Sequence, residues 1–202
     1  MFIRLFRYVL YQSYDEVKKL IKTQDGLGFS LLKKTWRINK YKDPNDEIST
    51  LLKAGMSDEA IKAIFPEAFI AEEVFHQNVA LNEGLQLMLD LLIGAGGTVF
   101  SEANAYLGVG DSTTSEDATQ TGLQASSNKL YKAMDTSYPQ RSAQTVDWRA
   151  TFGTSDANFA WEEFTVANGG SDASVNLNRK VTSKGTKSSG ETWTLSLQIT
   201  AS

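Results

Sequence analysis

TVDWRATF at 145–152 and WTLSLQIT at 193–200 decide the fold. In the first stretch Val146, Trp148, Ala150 and Phe152 alternate with Thr145, Asp147, Arg149 and Thr151. In the second, Trp193, Leu195, Leu197 and Ile199 alternate with Thr194, Ser196, Gln198 and Thr200. A period of two places each apolar set on one face of a strand and each polar set on the other, so both stretches predict half-buried β-strands.

The same pattern extends outward from these two segments. Val175, Leu177 and Val181 indicate another strand, and Tyr106 with Gly108 to Gly110 indicates an earlier one that ends in a turn. Loops rich in Gly, Ser and Asp lie between them at 153–158, 168–172 and 184–190. Short strands at this spacing, joined by turn-rich loops, predict a mainly β protein with an antiparallel β-sandwich or jelly-roll-like body.

Composition changes near residue 98, upstream of which Lys, Leu, Ile and Glu dominate. Ser13 and Glu16 have capping-box spacing, with Val17, Leu20 and Ile21 on one helical face behind them; Phe2, Leu5, Phe6 and Val9 outline a similar face. Trp36 and Ile38 alternate with polar neighbours and predict a strand over 34–41, followed by a turn at 44–46. A short helix is expected after Ser57, with Asp58 and Glu59 at its positive end, stopping before Pro66. Residues 70–80 read as a strand leading into a helix at 82–93, with Asn82 as its N-cap and Gly94 or Gly96 at its end. These features describe a first part that is mostly helical with some extended pieces, followed by a β region.

The chemical inventory of the 202 residues is narrow. The chain has no cysteine and a single histidine, His76, which excludes disulfides, thiolate nucleophiles, Cys-based zinc sites and any two-histidine metal centre within one chain. No catalytic residue, metal site or cofactor is expected. The glycine runs GAGG at 94–97 and GVGDST at 108–113 lack the third glycine of a dinucleotide fingerprint, and neither precedes a Lys-Ser/Thr pair. The pairs Glu72-Glu73 and Glu162-Glu163 are adjacent, so on a strand they point apart and read as solvated faces; a glycosidase needs two carboxylates facing one substrate. His76, among apolar neighbours, reads as a packed core or edge residue. Nothing resembles a signal or a membrane span, because MFIRLFRYVL carries Arg4 and Arg7 and is too short.

The net charge is −4, which argues against a nucleic-acid partner, but the charge is uneven: residues 1–54 hold eleven basic and six acidic side chains. Lys33, Lys34, Arg37, Lys40 and Lys42 surround Trp36 and Tyr41. Such a stretch suits a single-strand binder, a guarded sheet edge or an arm that docks on an acidic protein surface.

Several stretches after residue 77 occur in a telling order: NVALNEGLQLMLDLLIG, AYLGVGDSTT, TGLQASSNKLYKAMDTSYPQRS, TFGTSDANFAWEEFTVANG, NRKV and WTLSLQIT. In this succession residues 78–202 resemble small virion structural proteins of tailed bacteriophages, and the span of the resemblance implies a basic α/β arm or subdomain at 1–77 and a sandwich domain at 78–202 opened by the helix at 82–93. The resemblance implies a non-enzymatic particle component, assembled in the host cytoplasm and located in the virion. The leading expectation is a capsid decoration (cement) protein, homo-oligomeric and bound to the major capsid protein or other virion proteins, with no membrane partner. Its expected partner-binding residues are Phe2, Phe6, Trp36, Arg37 and Tyr41. The alternatives are a tail-tip, collar or fibre-attachment subunit or a glycan-binding adhesin using Tyr138 and Trp161, and a carbohydrate-active enzyme using Glu162 or Glu163.

Overall fold

The computed structural model describes residues 32–201. The helices expected around Phe2–Val9 and after Ser13 lie outside them. Ten strands among the described residues form two five-stranded antiparallel sheets packed as a sandwich, as the alternation predicts. The first sheet has the order β2 (Phe69–His76), β1 (Leu32–Lys42), β10 (Glu191–Ala201), β7 (Thr145–Phe152) and β6 (Gln140–Ser142). The second has the order β3 (Val79–Ala80), β9 (Asn178–Val181), β8 (Glu163–Ala167), β4 (Tyr106–Gly110) and β5 (Lys129–Ala133).

The long strand β1 pairs with β10 along its whole length, from Leu32 opposite Ala201 to Lys42 opposite Glu191. Trp36 lies opposite Leu197 and Ile38 opposite Leu195, and all four are fully buried. This corrects the division expected at residue 77. β1 and β2 are strands of the same sheet as β7 and β10, because the inward face of β1 fills the core between the sheets. It also corrects the reading of β1 as a guarded edge, since β2 covers its free side.

The core is aromatic. Trp161 meets Phe152 and Trp193 edge-on at centroid distances of 4.8 and 4.9 Å, and Phe75 lies 5.2 Å from Phe164. Fully burying one such ring contributes about 1.5–3 kcal/mol, and the tilted contacts add to that.

Two short helices cover part of the outer face of the first sheet: α1 (Glu47–Lys53) and α2 (Asp58–Ile64). Ser57 caps α2 by accepting from the Ala60 amide at 3.1 Å, and the helix ends before Pro66 as expected. Ile48, Leu52 and Ile61 pack on Tyr41 to form a second buried cluster. The polar side chains of β7 and β10 were assigned only a face by their spacing, and part of that face is buried: Arg149, Thr151, Thr192 and Thr194 are all under 3% exposed.

The strand expected over 70–80 breaks after His76. Gln77 takes a positive φ of 64°, and Val79–Ala80 joins the other sheet as an edge strand. The third helix, α3 (Asn82–Ile93), is capped by the extended backbone of Leu81, one residue before the expected Asn82, and closes at Gly94 with a φ of 73°. Gly84 sets its distance from the second sheet: a Cβ there would stand 2.5 Å from the Leu177 Cα.

Candidate interaction surface

Of the residues expected to bind a partner, Phe2 and Phe6 lie outside the described residues. Trp36 and Tyr41 are fully buried, the first between the sheets and the second beneath α1 and α2. Phe75 and Phe164 pack on Trp36, and Ile48, Leu52 and Ile61 pack on Tyr41, so neither ring is presented at the surface. Arg37 does reach the surface, 3.6 Å from Glu72, with 40% of its side chain exposed. Trp161 is likewise fully buried, which removes it from any sugar-binding loop, and Tyr138 is half-buried. His76 is exposed at the end of the edge strand β2.

Glu163 is not on a solvated face. It is completely buried with Arg179, whose Nε donates to its Oε2 at 2.8 Å. The amides of Gln124 and Ala125 also donate to its two oxygens, at 2.9 and 2.8 Å. Arg179 in turn donates to the Thr114 carbonyl and the Gln120 side chain, both at 2.9 Å. A carboxylate so buried and hydrogen-bonded anchors the 114–125 loop and is not open to a substrate. Its neighbour Glu162 accepts from Ser183 at 2.8 Å and points elsewhere.

A second polar knot ties α1 and α2 to the first sheet. Arg149 donates to Asp135 at 2.9 Å and to the carbonyls of Leu52, at the end of α1, and Met56, in the turn that follows, at 2.9 and 3.0 Å. Asp58 accepts from Tyr41 at 2.7 Å and from Thr194 at 2.9 Å. Burial raises the Tyr41 hydroxyl well above its ordinary value, with the Asp58 charge acting in the same direction. Beside this knot lies a polar cleft of about 240 Å³, lined by Arg37, Tyr138, Asp147 and Gln198 among others. Burial pushes the Asp147 carboxyl up, against the pull of Gln198 and Arg149. The Tyr138 ring has the Arg149 guanidinium 4.6 Å from its centroid.

The most unusual surface is apolar and sits on α3. Leu87 and Gly84 face inward, whereas Leu89, Leu92 and Ile93 are 55, 80 and 77% exposed, with Met88 beside them and Val99 just beyond the helix. Glu83 and Asp90 are the only charged side chains on the helix. Soluble monomers rarely expose a contiguous apolar patch of this kind, and where one occurs it usually marks an interaction site. The sequence did carry a signal: seven of the twelve residues of α3 are Leu, Met or Ile, too many for a single buried stripe. Behind the ridge, between the sheets, is an apolar cavity of about 320 Å³ that shares Leu85 and Met88 with it.

Among the described residues, no group of three or more His, Cys, Asp or Glu side chains is placed to hold a metal ion. No helix among them is long and apolar enough to cross a membrane. No family model, curated protein or solved structure matches this chain.

Proposed function

We propose that this chain is a non-enzymatic structural protein of a tailed-phage virion, a capsid decoration protein that docks on the head shell through the α3 ridge. The observation that carries the docking role is the exposure of Leu89, Leu92 and Ile93 on a sandwich whose other large apolar side chains are mostly buried. The phage assignment rests on the resemblance of residues 78–202, and the sandwich is compatible with it. Covering the ridge with a shell subunit or a second copy removes apolar area from water, and repetition over a lattice multiplies a small contact into firm attachment.

The test is incorporation into particles of the phage that encodes the chain. Leu92→Glu combined with Ile93→Glu leaves the monomer fold intact, because both side chains already face solvent. The variant should lower the amount of this chain in purified particles by at least about tenfold, the factor that roughly 1.4 kcal/mol of lost contact produces. Incorporation at the wild-type level, or absence of the wild-type chain from particles, overturns the proposal.

The polar cleft favours a second reading, a glycan-binding subunit of the tail. Arg37, Asp147 and Gln198 supply donors and acceptors beside the Tyr138 ring, a mixture that suits sugar hydroxyls. A copy number far below that of the shell subunit, together with binding to host-envelope glycans that Tyr138→Ala abolishes, would select this reading over decoration.

A further inference from the structure

We propose that the cavity behind α3 binds an apolar monocarboxylate, a medium-length alkyl chain whose carboxylate is held by Lys34. This stands apart from any role in a virion. The cavity opens between the two sheets, with Leu85 and Met88 of α3 on one side, Val146 and Ile199 of the first sheet on another, and Phe100 and Leu177 completing the wall. Its volume of about 320 Å³ falls at the lower end of the ~300–1,000 Å³ range of small-molecule sites, and its lining is overwhelmingly apolar.

The polar groups on that lining point to the chemistry of the ligand. Lys34 is the one charged residue on it, and Trp148 and Asn178 are the others with a polar side-chain atom. The Asn178 Oδ1 accepts from the Val166 amide at 3.1 Å, which leaves the Nδ2 hydrogens as the open function of that side chain. Neither the Trp148 Nε1 nor the Asn178 Nδ2 has a hydrogen-bond partner, although the two residues are 7 and 2% exposed. Both of these donors lie behind the wall of the cavity, so the polar function left to meet a ligand is the Lys34 ammonium, a donor. A complementary ligand brings acceptors and no donors, which describes a carboxylate and not an alcohol or an amine.

Lys34 supplies the charge. It faces inward on β1, on the same side as Trp36 and Ile38, and no carboxylate pairs with it among the described residues. Burial lowers its pKa, the mark of an ammonium partly removed from water without a compensating anion. An alkyl carboxylate would fill the apolar volume and supply that anion. The α3 ridge continues the same apolar lining at the surface through Leu85 and Met88.

The experiment is calorimetric titration of the full chain with dodecanoate below its micellar concentration, with dodecyltrimethylammonium as the matched cation. Saturable one-to-one binding of the anion and none of the cation is expected. Lys34→Ala should weaken dodecanoate binding at least tenfold, Lys34→Arg should restore most of it, and Lys33→Ala, on the exposed neighbour, should leave it unchanged. The Trp148 indole N–H resonance, assigned with Trp148→Phe, should shift on addition of dodecanoate. Thermal melting of each variant confirms that it is folded. Absence of saturable binding, equal binding of anion and cation, or a folded Lys34→Ala variant that binds like wild type would each overturn the proposal.

Discussion

Changing Glu163 to Gln keeps the shape of the side chain and removes its charge from a site where both it and Arg179 are completely buried. In the wild type the carboxylate takes three hydrogen bonds, from the amides of Gln124 and Ala125 and from the Arg179 Nε at 2.8 Å, and the Arg179 Nη2 stands 2.7 Å away as the second nitrogen of the ion pair. A carboxamide offers one accepting oxygen, and its NH₂ must face donors. Arg179 then keeps only neutral partners, the Thr114 carbonyl and the Gln120 side chain. Removing one member of a buried ion pair typically costs about 3–5 kcal/mol. At ~2–4 °C per kcal/mol for a chain of this size, Tm should fall by roughly 6–20 °C. The assay is urea and thermal unfolding followed by circular dichroism, with Arg37→Gln as the control. Arg37 pairs with Glu72 at the surface, with side chains 40 and 31% exposed, and its loss should cost only ~0–1 kcal/mol. Adding Arg179→Met to Glu163→Gln removes the stranded charge and should recover part of the loss. A cost for Glu163→Gln as small as that of Arg37→Gln would refute the reasoning, because it would mean that water reaches the pair.

Two further outcomes follow from packing and burial. Gly84→Ala would place a Cβ 2.5 Å from the Leu177 Cα and 2.7 Å from the Asn176 carbonyl oxygen, both backbone atoms, so α3 must lift off the second sheet. Thermal unfolding should show a loss of at least ~1–3 kcal/mol, whereas an unchanged Tm would mean that the helix is not seated there. Lys187 is 1% exposed and donates to the Gly153 carbonyl and to Asn158; burial lowers its pKa from 10.5 to about 8. The folded chain then holds this proton more weakly than the unfolded chain, so stability rises with pH from about 8 towards 10.5. Urea unfolding of the wild type and Lys187→Met across that interval should show the wild type gaining on the variant, and a constant difference between them would contradict the assignment.

Much of the sandwich was legible because a strand states its own alternation. Val146, Trp148, Ala150 and Phe152 were read as one face, and the last three are under 10% exposed. The Ser57 cap and the Gly94 stop were also legible, since both depend on local backbone chemistry. The break at Gln77 was not, because a change of sheet depends on pairing with β9, a hundred residues away in the chain. Of the expected interaction residues, Arg37 is the one placed at the surface among the described residues. Trp36 and Tyr41 were assigned to a docking arm because the span of the resemblance and the basic charge of the first part set a domain boundary at residue 77. Pairing between β1 and β10 crosses that boundary along eleven residue pairs.

By itself the sequence determined that 34–41, 145–152 and 193–200 are strands, which faces of the last two are apolar, and which thiol and two-histidine chemistries the chain lacks. Those properties belong to spacing and composition, which act within a few residues. Only the tertiary structure decided what covers each remaining face. Arg149 and Thr151 alternate outward as polar residues should, yet α1 and α2 close over them; Leu92 and Ile93 look like core residues and stand in solvent. Burial on the far side of a strand or helix depends on which distant element packs against it, and alternation in one segment carries no information about that partner.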